Sequence, residues 1–142
     1  VDGRSDLAEF ELPHLDGYMG SRPVRVGNGA HGQLQLDVYG ELMDAVYLHN
    51  KYARPVSYDS WVSLRKLVDW VADNWDRPDE GVWETRGPRK DHVYSRFMCW
   101  VALDRAIKIA VLDARTDAPL ARWRAEHDAI RRDVLNEVLP LA

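Results

Sequence analysis

Arg77-Pro78-Asp79-Glu80-Gly81-Val82-Trp83-Glu84-Thr85-Arg86-Gly87 separates two stretches of strong helical periodicity, and its reading decides how the rest of the chain is understood. Pro78 and the two glycines punctuate it as a loop. Inside it sit three acidic side chains, two arginines and one indole. A loop that only joins helices has no need of a tryptophan beside a carboxylate. The pairing suits a surface that stacks on a sugar ring, or an environment that tunes an acid.

Outward from this loop the chain reads as helices. Downstream, the spacing predicts a helix over 91–113, with Asp91 as its N-cap. Val93, Phe97, Trp100, Val101, Ile107 and Val111 put apolar residues on more than one face, as in a buried helix. Upstream, Trp61, Leu64, Val68, Val71 and Trp75 step by three and four and predict a helix over 59–76, capped by Ser57 or Asp59. A helix over 31–51 carries Leu36, Tyr39, Met43, Val46 and Tyr47, with Gly40 marking a close helix contact. The last helix, 118–138, places Leu120, Trp123, His127, Ile130, Val134 and Val138 on one stripe, with Pro119 in its first turn. Residues 1–29 are broken repeatedly by Gly and Pro. They hold one short extended piece, Ser21–Val26, that ends at Gly27-Asn28-Gly29.

The expected fold is therefore all-α: antiparallel helix hairpins behind an irregular N-terminal lead-in. The short loops 53–57 and 115–117 only connect. The longer ones, 27–29 and 77–90, are rich in Gly, Arg and Trp, and each precedes a predicted inner helix. That alternation is what an (α/α)6 barrel requires, with its site-forming loops at one end. A helix hairpin cannot bury its faces alone and needs its neighbours.

Bulk properties exclude other classes. A chain of 142 residues has the length of one ordinary domain. A net charge of −4 argues against a nucleic-acid or anionic-membrane surface. No apolar run reaches membrane-spanning length. Cys99 is the lone cysteine, so no internal disulfide can form, and its apolar helical setting reads as a buried thiol. This fits a reducing, cytoplasmic compartment.

Two long stretches carry a resemblance. Val93-Tyr94-Ser95-Arg96-Phe97-Met98-Cys99-Trp100-Val101-Ala102-Leu103-Asp104-Arg105-Ala106, with the loop before it, closely resembles family 15 of the glycoside hydrolases, the glucoamylases, glucodextranases and bacterial trehalases. Gly17-Tyr18-Met19-Gly20-Ser21-Arg22-Pro23-Val24-Arg25-Val26-Gly27-Asn28-Gly29-Ala30 is similar to the stretch that leads into an inner helix in the bacterial members, and Gln33–Glu41 continues it. The similarity covers most of residues 6–112.

The resemblance implies inverting hydrolysis of a terminal α-glucosidic bond in a gluco-oligosaccharide or trehalose. Glu84, directly after Trp83, matches the general acid. Glu80 matches a residue that precedes it without doing the chemistry. Trp83, Arg86, Asn28, Gly29, Gln33 and Ser95 are the implied substrate contacts, expected to gather at one end of the helices. Burial beside Trp83 would raise the carboxyl's pKa and keep its proton available. No metal or organic cofactor is implied, because two carboxylates and a water suffice. The partner is a carbohydrate, and self-association is left open.

The family's catalytic base lies beyond Ala142 and its glucose-gripping Arg-Asp pair before Val1. Residues 1–142 therefore read as a partial (α/α)6 catalytic domain, incomplete at both ends and inactive by itself. Its inner-helix surface bearing Phe97, Trp100 and Val101 would then be open.

Competing chemistries are weaker. His14, His31, His49, His92 and His127 are scattered, and none shows a zincin spacing. Gly27-Asn28-Gly29 lacks the Lys-Ser or Lys-Thr of a phosphate loop. Arg86, Arg89, Lys90 and Arg96 suit sugar hydroxyls or Glu84 better than an anion site. The other classes are a non-catalytic helical interaction module, for which no 33–47-residue repeat is visible, and an inactive remnant of such an enzyme.

Overall fold

The computed structural model describes residues 7–84 and 87–138. These fall into two compact units that divide between Gln33 and Leu34.

The first unit is irregular, with one small ribbon. Strand β1 (Phe10–Glu11) pairs antiparallel with β2 (Arg25–Val26), in the register Phe10↔Val26 and Glu11↔Arg25. The extended piece expected over 21–26 is thus the second strand of a hairpin whose first strand the sequence did not announce. Gly27 follows at φ 91°, and a Cβ there would stand 2.2 Å from the Ala8 carbonyl oxygen, so only glycine fits. The Asn28 amide donates to the Leu7 carbonyl (2.8 Å), and its side-chain oxygen accepts from the Ala30 amide (2.9 Å).

The second unit is all-α among the described residues. Its helices are α1 (Asp37–Tyr52), α2 (Tyr58–Asn74), α3 (Val93–Leu112) and α4 (Leu120–Val138). α3 packs against each of the other three. Its apolar faces supply Cys99, Ala102, Leu103, Ala106, Ile109 and Ala110 to the core. Around it close Met43 of α1, Trp61, Leu64, Val68 and Val71 of α2, and Trp123 and Ile130 of α4. Both fully buried indoles keep a partner for their N–H: Trp61 donates to Asp117 (3.1 Å) and Trp123 to Asp69 (2.9 Å). Among the described residues, no helix is long and apolar enough to cross a membrane.

Three helix starts come later than the periodicity predicts. α4 begins at Leu120, two residues late, which leaves Pro119 just before the helix and not in its first turn. α1 begins at Asp37, six residues later than expected, because the preceding backbone amides are claimed from elsewhere. The Leu34 amide donates to Glu80 Oε2 (2.7 Å) and the Leu36 amide to Asp79 Oδ2 (3.0 Å). α3 begins at Val93, and Asp91 does not cap it; its carboxylate binds Arg96 instead (2.8 Å). α2 is capped by Ser57, whose side chain accepts from the Ser60 amide (3.2 Å).

The two short loops do more than connect. Arg115 donates to the Val56 carbonyl, and Asn50 bridges the Val56 amide (2.7 Å) and Asp113 (3.3 Å). One end of the hairpins is thereby fastened. The loop between α2 and α3 meets the start of α1 at the other.

Candidate active site

At that second end, the turn of chain from Asp79 to Glu84 is held rigidly at its base and open at its tip. Asp79 exchanges both backbone hydrogen bonds with Lys90 (2.9 and 3.0 Å), closing the loop. Its carboxylate is 1% exposed, and Oδ2 accepts from the Leu36 amide (3.0 Å) and from Ser95 Oγ (2.8 Å). Glu80 continues the fastening. Its amide donates to the Leu34 carbonyl (2.9 Å), and its carboxylate accepts from the Leu34 amide and from Arg89 Nε (3.0 Å). Partial burial pushes the Glu80 carboxyl up. The hydrogen bonds from Arg89 and Leu34, with the Arg89 charge, outweigh that and hold it below its ordinary value.

Gly81 turns the chain at φ 70°, where a Cβ would come within 3.0 Å of the His92 ring. Beyond it the loop emerges. Val82 is 46% exposed and Trp83 87%, and Glu84 is also exposed, in the left-handed region at φ 48° with its amide donating to the Gly81 carbonyl (3.2 Å). Trp83 forms part of the wall of a hollow of about 500 Å³, which Glu80, Gly81, Val82, His92, Val93, Tyr94 and Ser95 also line. The Tyr94 hydroxyl donates to Glu41 Oε1 of α1 (2.9 Å).

The expected site residues fall into three groups. Trp83, Glu84 and Ser95 lie at this end of the second unit. Ser95 is 1% exposed, and its hydroxyl proton is directed to Asp79. Asn28, Gly29 and Gln33 belong to the first unit, where the Gly29 amide donates to Glu9 (3.2 Å). Arg86 lies outside the described residues. The burial expected for Glu84 is not supplied by the described residues, since both it and Trp83 face outward.

Two buried carboxyls of this end escaped the reading of the sequence. Asp79 and Asp37, the first residue of α1, each keep one side-chain oxygen buried without a hydrogen-bond partner among the described residues. Burial raises the Asp37 carboxyl above its ordinary value. Its own backbone hydrogen bond opposes this, the negative charges of Asp79 and Glu41 add to it, and His92 opposes it. Acidic residues are rarely buried, and nothing local in Pro78-Asp79-Glu80 says which of the two turns inward.

The open apolar surface is also narrower than expected. Phe97 is 45% exposed and stacks on Trp100 at 5.8 Å, but Val101 is buried at 7%.

Packed helices with a carboxylate-bearing loop fastened at one end have the make-up of part of an all-α helical barrel. Residues 1–140 match the glycosyl hydrolases family 15, and the chain belongs to that family. Among similar proteins is a trehalase of Mycolicibacterium smegmatis, 44% identical over 95% of this chain and 20% of its own length. Trehalase 1 of Sulfolobus acidocaldarius is 44% identical over 87% of the chain and 22% of its own length. A trehalase of Thermoplasma acidophilum is 37% identical over 96% and 23%. The chain thus spans about a fifth of the length of the curated relatives it matches. No solved structure gives a significant match.

Proposed function

We propose that the protein to which this chain belongs hydrolyses the α-glucosidic bond of trehalose with inversion, and that Glu84 is its proton donor. One observation carries this reading: the loop's base is fastened to α1 and α3, while its tip presents Trp83 and Glu84 beside an open hollow. That is the arrangement a general acid needs, a fixed origin and an accessible carboxyl. The relatives' names favour trehalose over longer glucosides.

In the reaction the bond between C1 and the bridging oxygen breaks. Glu84 gives its proton to the departing sugar oxygen. A water attacks C1 from the opposite face and loses its proton to a second carboxylate, which the resemblance puts outside residues 1–142. Trp83 supplies a flat apolar face for a sugar ring. Asn28, Gly29, Gln33 and Arg86 are the proposed polar contacts, and Ser95 underlies the hollow. Residues 1–142 are then a partial catalytic domain forming an arc of the (α/α)6 barrel. The unpaired buried thiol of Cys99 fits a cytoplasmic protein.

The test is hydrolysis of trehalose, maltose and maltotriose by the full-length protein, with the first-formed anomers read by NMR. Trehalose is expected to be the best substrate and to give α- and β-glucose in equal amounts before mutarotation, because only the attacked C1 inverts and the departing glucose keeps its α configuration. Glu84→Gln should lower kcat by about 10²–10⁴. Full activity in that variant, or a loss confined to Glu80→Gln, would remove the assignment.

A further inference from the structure

Glu84 stands at the exposed tip of the loop, and its backbone is placed by the turn beneath it. Its amide is tied to the Gly81 carbonyl (3.2 Å), so its position follows Gly81. Gly81 in turn rests on the His92 ring, two residues beyond Asp79. Among the described side chains of the loop, Asp79 binds both α1's leading residue and α3's first turn. One oxygen, Oδ2, holds the Leu36 amide at 3.0 Å and the Ser95 hydroxyl at 2.8 Å. The other, Oδ1, is buried without a hydrogen bond among the described residues. A buried carboxylate that satisfies only one of its oxygens is a poor choice for stability alone. It makes sense where one loop must be held to two helices at once.

We propose that Asp79, through Ser95 and the Leu36 amide, is the positioning residue for the proton donor, and that it acts on the reaction only through Glu84. This rests on the reading of Glu84 as general acid. Proton transfer tolerates little displacement: a catalytic group must sit within about 0.5 Å of its productive place, and an error of about 1 Å can cost roughly 10²-fold. Asn at position 79 keeps the size of Asp but loses the charge that strengthens both hydrogen bonds. Ala at position 95 removes one of them and leaves the carboxylate intact.

A positioning role separates from general damage by the choice of leaving group. The glucose that departs from trehalose would leave as a poor alkoxide and needs the proton. Fluoride leaves from α-glucosyl fluoride without one. In the full-length protein, Asp79→Asn should lower kcat on trehalose about 100-fold and Ser95→Ala about tenfold, with KM within a few fold of the parent. On α-glucosyl fluoride both variants, and Glu84→Gln, should stay within a few fold of the parent.

Equal losses on the two substrates, or no loss on trehalose, would overturn the proposal. If Asp79→Asn does not fold, Ser95→Ala decides by the same comparison. The underlying reading has its own control. Glu84→Gln active on trehalose sinks the reading of the site itself, whereas a trehalose-only loss in Glu84→Gln beside an unaffected Asp79→Asn sinks only the positioning role.

Discussion

Gly40 of α1 lies directly against the backbone of Met98 in α3: a Cβ at Gly40 would stand 2.3 Å from the Met98 carbonyl oxygen and 2.8 Å from its carbon. The obstacle is backbone, which cannot rotate out of the way. The two helices that frame the candidate site can approach this closely only over a glycine.

Gly40→Ala is therefore expected to destabilise the full-length protein. Helix propensity by itself would favour alanine by about 1 kcal/mol. Forcing α1 off α3 should outweigh that, since overpacking a tight contact costs roughly 1–3 kcal/mol. The check is the thermal midpoint. A rise in that midpoint would show that the helices separate at no cost.

Trp83→Ala tests the exposed wall of the hollow. An indole 87% exposed contributes little to folding, so stability should stay within about 0.5 kcal/mol. If a sugar stacks on it, KM for trehalose should rise about tenfold, equivalent to ~1.4 kcal/mol of binding. An unchanged KM would remove Trp83 from the substrate surface.

The legible parts of this fold are those where periodicity and packing coincide. Trp61, Leu64, Val68 and Val71 step along one face of α2, and all four are buried. Gly40 announced its close contact because glycine inside a helix is otherwise a poor choice. The start of α1 was not legible. Its leading amides are taken by Asp79 and Glu80, more than forty residues away, and no local pattern near His31 records that claim. Asp91 had the residue type of a cap, but Arg96 holds its carboxylate. At the site, Trp83-Glu84 stood out as an indole beside an acid. Asp79 did not, because its burial follows only from tertiary contacts with Leu36 and Ser95.

Asp37 gives a pH prediction with a definite sign. Its native carboxyl is raised above the ordinary 3.8, chiefly by burial. Between these values the folded protein keeps a proton that the unfolded chain has lost. Stability from this group is therefore present in acid and is lost as pH rises through the window. Asp37→Asn does not titrate and keeps an acceptor oxygen. Its thermal midpoint relative to the parent should climb as pH rises from about 4 and then level off. A relative midpoint that falls with pH would mean that the native state favours the charged form.

Cys99 should be inert in the folded protein. The thiol is fully buried, and burial, with the negative charges of Asp79 and Asp37, pushes it up to about 12. Thiolate is the reactive form and scarcely exists there at neutral pH. Ellman's reagent should titrate the thiol only after denaturation. Labelling at native pH on the timescale of mixing would show that the α1–α3 seam opens readily.

Residues 1–142 expressed by themselves should release no glucose from trehalose, maltose or maltotriose. Inverting hydrolysis needs a carboxylate on each face of the sugar, and the proposed role of Glu84 accounts for one. The resemblance places the second carboxylate, and the pair that grips the glucose, outside this span. Orientation of the reacting groups can supply roughly 7–11 kcal/mol of barrier lowering, so a site with half its positioning groups should show no turnover above background. Glucose release that disappears in Glu84→Gln would overturn this, and would mean that the group activating water lies among these residues.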